Sequence, residues 1–197
     1  MDMDRILKFF LVVCCFINAF SKKGGLALGE KDYNLLRVGM GLTVIADLLM
    51  VIMDINVFGI LAFCAVQAVY NYRYTNLSRV KVQAIVGAVV FIAALLFSKF
   101  DIIFASGCAY GIFVLYSLTG AFMARGKYPM VNSSLIIIGM ILFLACDIFV
   151  MISSLPILEL YGEGVLDFVL KGIWICYLPA QVLLSSSARR ILTEDNL

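Results

Sequence analysis

The chain contains no histidine. That one absence removes zinc hydrolases with imidazole ligands, haem sites with a histidine ligand and Ser-His-Asp triads together. Charge is also scarce: 14% of the 197 residues are charged, where soluble domains carry about 25%. A net charge of +2, without a long basic run, gives no footing to a nucleic-acid partner. The six cysteines all fall in apolar stretches and form no C-x-x-C pair, so neither disulfides nor metal clusters are expected. They read as small apolar helix residues.

What the chain has in excess is apolar side chains. They make up 63% of it, against about 45–50% for a soluble domain, and mean hydropathy is +1.05. An integral membrane protein is the consistent reading. At roughly 20 residues per span the length allows at most about seven or eight helices. Seven apolar segments are present, near 6–20, 35–53, 57–74, 82–98, 102–124, 131–152 and 165–187. The first is short. It is read as a helix rather than a signal peptide, because Asp2 and Asp4 stand where a basic region belongs. The segments stay apolar for longer than the alternating strands of a membrane barrel, so helices are predicted. Gly24-Gly25, Lys99 to Asp101, Gly126 to Pro129 and 155–164, with Glu159 and Glu163, mark connections. The expected architecture is an all-α, polytopic membrane bundle of about seven transmembrane helices, a single domain over 1–197.

Basic residues set the expected orientation. Lys22, Lys23, Lys31, Arg73, Arg79, Lys81, Arg125, Lys127, Arg189 and Arg190 fall on one side of a seven-helix chain, and Arg5, Lys8 and Lys99 on the other. Arg37 and Lys171 lie inside segments. The positive-inside rule then predicts an outer N-terminus and a cytoplasmic C-terminus, in a multi-pass protein of the cell membrane.

The second and sixth segments resemble each other. Gly39, Met40, Leu42 and Asp47 recur, 100 positions later, as Gly139, Met140, Leu142 and Asp147. Each copy is followed by a helix with a mid-span glutamine, Gln67 or Gln181. This predicts a parallel internal repeat, helices 1–3 and 5–7, with helix 4 as a linker. Such repeats place binding sites at their interface. An aspartate inside a bilayer costs about 2.5–3.5 kcal/mol on insertion scales, so intramembrane acids read as functional. Asp47 and Asp147 fall at similar depth, about one and a half turns before the outer helix end. Two carboxylates in one poorly solvated site cannot easily both ionise, which suits a general acid and a general base. The alternative is that each acid bonds a neighbouring helix or balances a base such as Arg37. Gln67, Tyr70 and Asn71 share one helical stripe, and Tyr177, Gln181 and Ser185 another. They suit either a polar substrate portion or helix–helix contacts.

Ala46-Asp47-Leu48-Leu49, then Gly59 to Phe63 with Gln67 and Tyr70, form one signature. Gly139 through Leu142-Phe143 to Cys146-Asp147, then Tyr177-Leu178-Pro179-Ala180-Gln181-Val182-Leu183-Leu184, form the second. In these the chain resembles the YhhN family of lysoplasmalogenase-like membrane proteins, over roughly 35–187. The family usually has histidine at Gln67 and glycine at Ala46, and often an additional helix. The resemblance implies hydrolysis of the vinyl-ether bond of a lysoplasmalogen to a fatty aldehyde and a glycerophospho-base. Asp47 and Asp147 would share the acid and base roles. Gln67, Tyr70, Asn71, Tyr177 and Gln181 would contact the lysophospholipid substrate, and no metal or cofactor is implied. Competing readings are a proton-coupled transporter and an inactive, lipid-binding relative. A retinal-type photoreceptor using Lys171 is a distant fourth, since the chain has one tryptophan, Trp174.

Overall fold

The computed structural model describes residues 3–22, 24–154 and 163–190. Lys23, and most of the 155–164 connection with Glu159, lie outside them. Among the described residues seven α-helices follow in order: α1 (Met3–Asn18), α2 (Glu30–Asp47), α3 (Asn56–Tyr74), α4 (Leu77–Phe97), α5 (Ile102–Met123), α6 (Met130–Ser153) and α7 (Glu163–Ser186). Asp47 leads directly into a π-helical turn, Leu48–Ile52. Side-chain caps start two helices: Asn76 accepts from the Arg79 N–H and Asp101 from the Phe104 N–H.

Among the described residues five stretches are long and apolar enough to cross a membrane: Glu30–Ile52, Leu77–Phe97, Ile102–Gly126, Met130–Ser153 and Gly164–Ser186. α1 and α3 are the other two of the expected seven. α1 has 16 residues, short of the roughly 20 a span requires. α3 is long enough but carries Gln67, Asn71 and Arg73, all fully or almost fully buried. It packs between α2 and α5, so its polar side chains face protein and its sequence need not be as apolar as that of a lipid-facing helix.

The buried stripes make the repeat visible. Along α2 the buried residues are Asp32, Tyr33, Leu36, Gly39, Met40, Thr43, Ala46 and Asp47. Along α6 they are Asn132, Ser133, Ile136, Gly139, Met140, Phe143 and Cys146. Each residue of the second set lies 100 positions after one of the first. The partner helices match at the offset from Gln67 to Gln181. Val66, Gln67, Tyr70, Asn71, Arg73 and Tyr74 are buried on one side, and Ala180, Gln181, Leu184, Ser185, Ser187 and Ala188 on the other. The two helix pairs also close alike. A Cβ on Gly39 would stand 2.7 Å from the Tyr70 ring, and one on Gly139 would stand 2.9 Å from Leu184. The two glycines therefore admit equivalent side chains of α3 and α7. α1 touches both α2 and α7, as α5 touches both α6 and α3. α4 rides outside on α5 with only Gln83 and Gly87 buried.

One end of the bundle is stitched by a buried ionic cluster. Arg73 donates to both carboxylate oxygens of Asp32 at 2.9 and 3.0 Å, and to Ser187 Oγ at 2.9 Å. The Tyr128 hydroxyl donates to Asp32. Burial, opposed by Arg73 and reinforced by Asp32, raises the Tyr128 phenol above its ordinary value. Asn132 donates to the carbonyls of Ser187 and Arg189. Arg73, counted in the sequence among the basic residues of one side, is thus an interior residue of the last turn of α3 at that end.

Two consequences are measurable in purified protein by thermal unfolding in detergent. Gly39→Leu should cost about 1–3 kcal/mol, while Gly107→Leu, where a Cβ meets nothing within 4 Å, should leave stability almost unchanged. Asp32→Asn should cost about 3–5 kcal/mol, because it leaves the Arg73 guanidinium buried without its counter-charge.

Candidate functional site

Asp32 and Asn132 meet in the ionic cluster, and α2 and α6 both run away from it. Fifteen residues on, at about 1.5 Å per residue, Asp47 and Asp147 stand about 22 Å from that end. Their equal depth follows from the shared starting level. Asp47 is 3% exposed and Asp147 is half-buried.

Each acid takes its hydrogen bond from a tyrosine on another helix. The Tyr177 hydroxyl of α7 donates to Asp47 Oδ2 at 2.7 Å. The Tyr110 hydroxyl of α5 donates to Asp147 Oδ2 at 3.0 Å. Among the described residues neither carboxylate forms an ion pair; the pairs are Lys22–Glu30, Arg73–Asp32 and Lys171–Asp167. Arg37 does not balance Asp47: its guanidinium lies 4.0 Å from the Phe20 ring centroid. Lys171 is exposed and held by Asp167 at 2.7 Å, which removes it from any interior chromophore pocket.

A row of aromatic rings joins the two pairs. Tyr110 meets Phe63 at 6.1 Å between centroids, Phe63 meets Phe143 at 6.1 Å, Phe143 meets Tyr177 at 5.7 Å and Tyr177 meets Trp174 at 5.7 Å. These separations are those of packed aromatic pairs. Phe63 and Tyr177 each stand four residues before their glutamine. The second repeat thus has a phenol where the first has a plain ring, and α5 supplies the missing phenol as Tyr110.

Gln67 and Gln181 are both fully buried, and no atom of either side-chain amide has a hydrogen-bond partner among the described residues. Gln67 lies beside the Tyr110 phenol, and its backbone carbonyl accepts from Ser117 Oγ at 2.7 Å. The other two candidates are engaged in packing. The Tyr70 hydroxyl donates to the sulfur of Met40 at 3.3 Å. Asn71 donates to Gln83 Oε1 at 3.0 Å, tying α3 to α4. The structure therefore gathers Asp47, Asp147, Tyr177 and Gln67 around the ring row. It sets Tyr70 and Asn71 in helix contacts. Tyr110 was not singled out from the sequence. The signal was depth: of the two tyrosines of α5, Tyr110 and Tyr116, Tyr110 stands nearer the level of Asp147.

Set against known families, the sequence model of the YhhN family matches residues 3–188. No curated protein and no solved structure matches the chain.

The acid–phenol pairs differ in burial, and removal of each hydroxyl should show it. Tyr177→Phe keeps the ring against Phe143 and Trp174 but strips Asp47 of its donor. It should cost about 1–3 kcal/mol, the penalty for an unsatisfied buried polar group. Tyr110→Phe should cost less, since half-buried Asp147 retains other means of solvation. Thermal unfolding of the two variants side by side checks the order; a larger loss for Tyr110→Phe contradicts it.

Proposed function

The chain belongs to the YhhN family, and from that premise we propose that it is a membrane lipid hydrolase. It cleaves the vinyl-ether bond of a lysoplasmalogen-type lysophospholipid by paired-aspartate acid–base catalysis. The observation that carries the reading is the pair of carboxylates at one depth, without a cation partner among the described residues, each bonded to a phenol and linked by an aromatic row.

The chemistry needs no more than two carboxyl groups. A vinyl ether is protonated on its β-carbon, the double-bond electrons taking the proton and leaving an oxocarbenium ion. One aspartic acid supplies that proton. The other carboxylate stabilises the cation and accepts a proton from the water whose oxygen bonds to the cationic carbon. The resulting hemiacetal breaks its carbon–oxygen bond to glycerol. The hemiacetal hydroxyl becomes the aldehyde carbonyl as it gives up its proton, and the glycerol oxygen is protonated. One water is consumed, and both carboxyl groups return to their starting states. Tyr177 and Tyr110 each engage Oδ2, leaving Oδ1 as the face turned to chemistry. The rings of Phe63 and Phe143 lie between the pairs, where an alkenyl chain would pack. Gln67 and Gln181 would orient the polar end of the lipid.

Depth supports a lipid substrate. Asp147 has six residues of α6 beyond it, about 9 Å of helix. In a lysolipid the vinyl ether adjoins glycerol, a similar distance below the headgroup. By the positive-inside rule the basic end is cytoplasmic, so the substrate would enter from the outer leaflet.

In purified protein given lysoplasmalogen, Asp47→Asn and Asp147→Asn should each lower aldehyde release by about 10²–10⁴-fold while the protein stays folded. Full activity in either variant would sink the paired-acid mechanism. Wild-type protein that is stabilised by the lipid but releases no aldehyde would mark a lipid-binding relative instead. Uptake of a solute into proteoliposomes without turnover would mark a transporter.

A further inference from the structure

At the basic end lies a cavity that the proposed reaction does not use. It has a volume of about 580 Å³ and opens between the start of α2, the end of α3 and the start of α4. Asp32 lines it, so it stands about 22 Å of helix away from Asp47. The ether and the phosphate of one lysolipid are separated only by glycerol, so a lipid phosphate held here could not belong to a molecule reacting at Asp47.

The lining divides into two walls. Leu28, Leu35 and Leu77 form an apolar one, with Leu28 and Leu77 exposed at the bundle surface. The other is ionic, and its charges do not cancel. Asp32 is taken up by Arg73 in a two-point contact. Glu30 is drawn outward to Lys22 at 2.8 Å. Two cations remain without a carboxylate among the described residues. Lys31 lies 5.1 Å from the centroid of the Tyr72 ring. Lys127 donates to the Arg73 carbonyl at 2.9 Å. The cavity therefore carries unbalanced positive charge at the level of the helix ends, where lipid headgroups lie, with an apolar wall continuing to the surface.

We propose that this cavity binds the phosphodiester of an anionic membrane phospholipid. Lys31 and Lys127 bracket the phosphate, and the glycerol and first acyl carbons lie along Leu28, Leu35 and Leu77. The volume falls within the roughly 300–1,000 Å³ of small-molecule sites. A free phosphate would satisfy the lysines but leave the leucine wall unused, which is why the lipid is the assigned source. A zwitterionic headgroup brings its own cation toward the two lysines and fits less well.

The test is binding to the purified full-length protein in detergent, read by native mass spectrometry and by thermal stabilisation. The probes are phosphatidylglycerol, phosphatidylcholine and inorganic phosphate. Phosphatidylglycerol should bind more tightly than phosphatidylcholine. Lys31→Gln and Lys127→Gln should each weaken phosphatidylglycerol by about tenfold. Lys99→Gln, at the opposite end of the bundle, should leave it unchanged. Equal binding of the two lipids, or unaltered phosphatidylglycerol binding in the lysine variants, overturns the proposal. Stabilisation by inorganic phosphate equal to that by phosphatidylglycerol also overturns it, by making this a free-anion site. Lys127 holds a backbone carbonyl, so if Lys127→Gln does not fold, exposed Lys31 alone decides the outcome.

Discussion

The two-point contact between Arg73 and Asp32 is the constraint from which the rest of the bundle takes its level. A guanidinium buried in the interior requires a partner for nearly every N–H, and here its hydrogen-bond acceptors come from other parts of the chain. Asp32 of α2 takes two, and Ser187, just beyond α7, takes the third. Asn132 of α6 then binds the same Ser187 through its carbonyl. Three helix ends and the segment after α7 are thereby held at one height. In an apolar solvent, helices can slide past one another with little change in burial, because lipid is as apolar as the side chains. Directional polar contacts resist such sliding. With the starting level fixed, the equal height of Asp47 and Asp147 needs nothing more than two helices of regular rise.

The repeat is close in burial, with Asp47 more deeply buried than Asp147, and loose in chemistry. Asp32 corresponds to Asn132, Arg73 to Ser187, Thr43 to Phe143 and Phe63 to Tyr177. A symmetric pair of ion pairs would double the cost of burying charge. A single pair, with its counterpart reduced to Asn and Ser, allows one guanidinium to bridge both halves. At the other end the asymmetry runs the opposite way. Both acids are kept, while only the second repeat supplies a phenol from its own helix pair. The π-helical turn after Asp47 has no counterpart after Asp147, where α6 continues to Ser153. Such turns recur at functional sites. This one carries Met50 against Gly59, whose missing Cβ leaves room for it.

The apolar excess, the seven segments and the repeat were all legible in the sequence, because length and period are properties of composition along one helix. The matched depth of the two acids was legible too, since it is only counting. Partners were not. Nothing in the order of residues says that Asp47 reaches Tyr177 of a helix 130 positions away, or that Asn71 spends its amide on Gln83. Both are mid-span polar residues, and periodicity cannot tell a bond to a neighbouring helix from a face turned to a ligand. The burial of Arg73 went unseen for a related reason. A basic residue at a helix end reads as a charge of that membrane face unless its acid is known, and nothing in the sequence named Asp32 as that acid. The 100-residue offset linking Asp32 to Asn132 was the available clue, since a position polar in both copies is better explained by a shared contact than by solvent.

The absence of histidine can be weighed against what occupies the site. A lone carboxylate in an apolar interior is costly, and a phenol relieves part of that cost without neutralising it, which a lysine or arginine would do. Asp47 and Asp147 take a neutral phenol as partner, whereas Asp32 at the far end takes a guanidinium. The chain thus uses its interior carboxylates in two ways, and the partner decides which. Gln67 and Gln181 fit the same division. Two amides at equivalent positions, each buried with neither end satisfied, are costly in any packed interior. Asn71, one turn from Gln67, finds its partners in Gln83 and Thr75, so helix packing was able to satisfy an amide in this part of the bundle. Gln67, whose amide finds no such helix-packing partner, is left near the Tyr110 phenol that bonds Asp147.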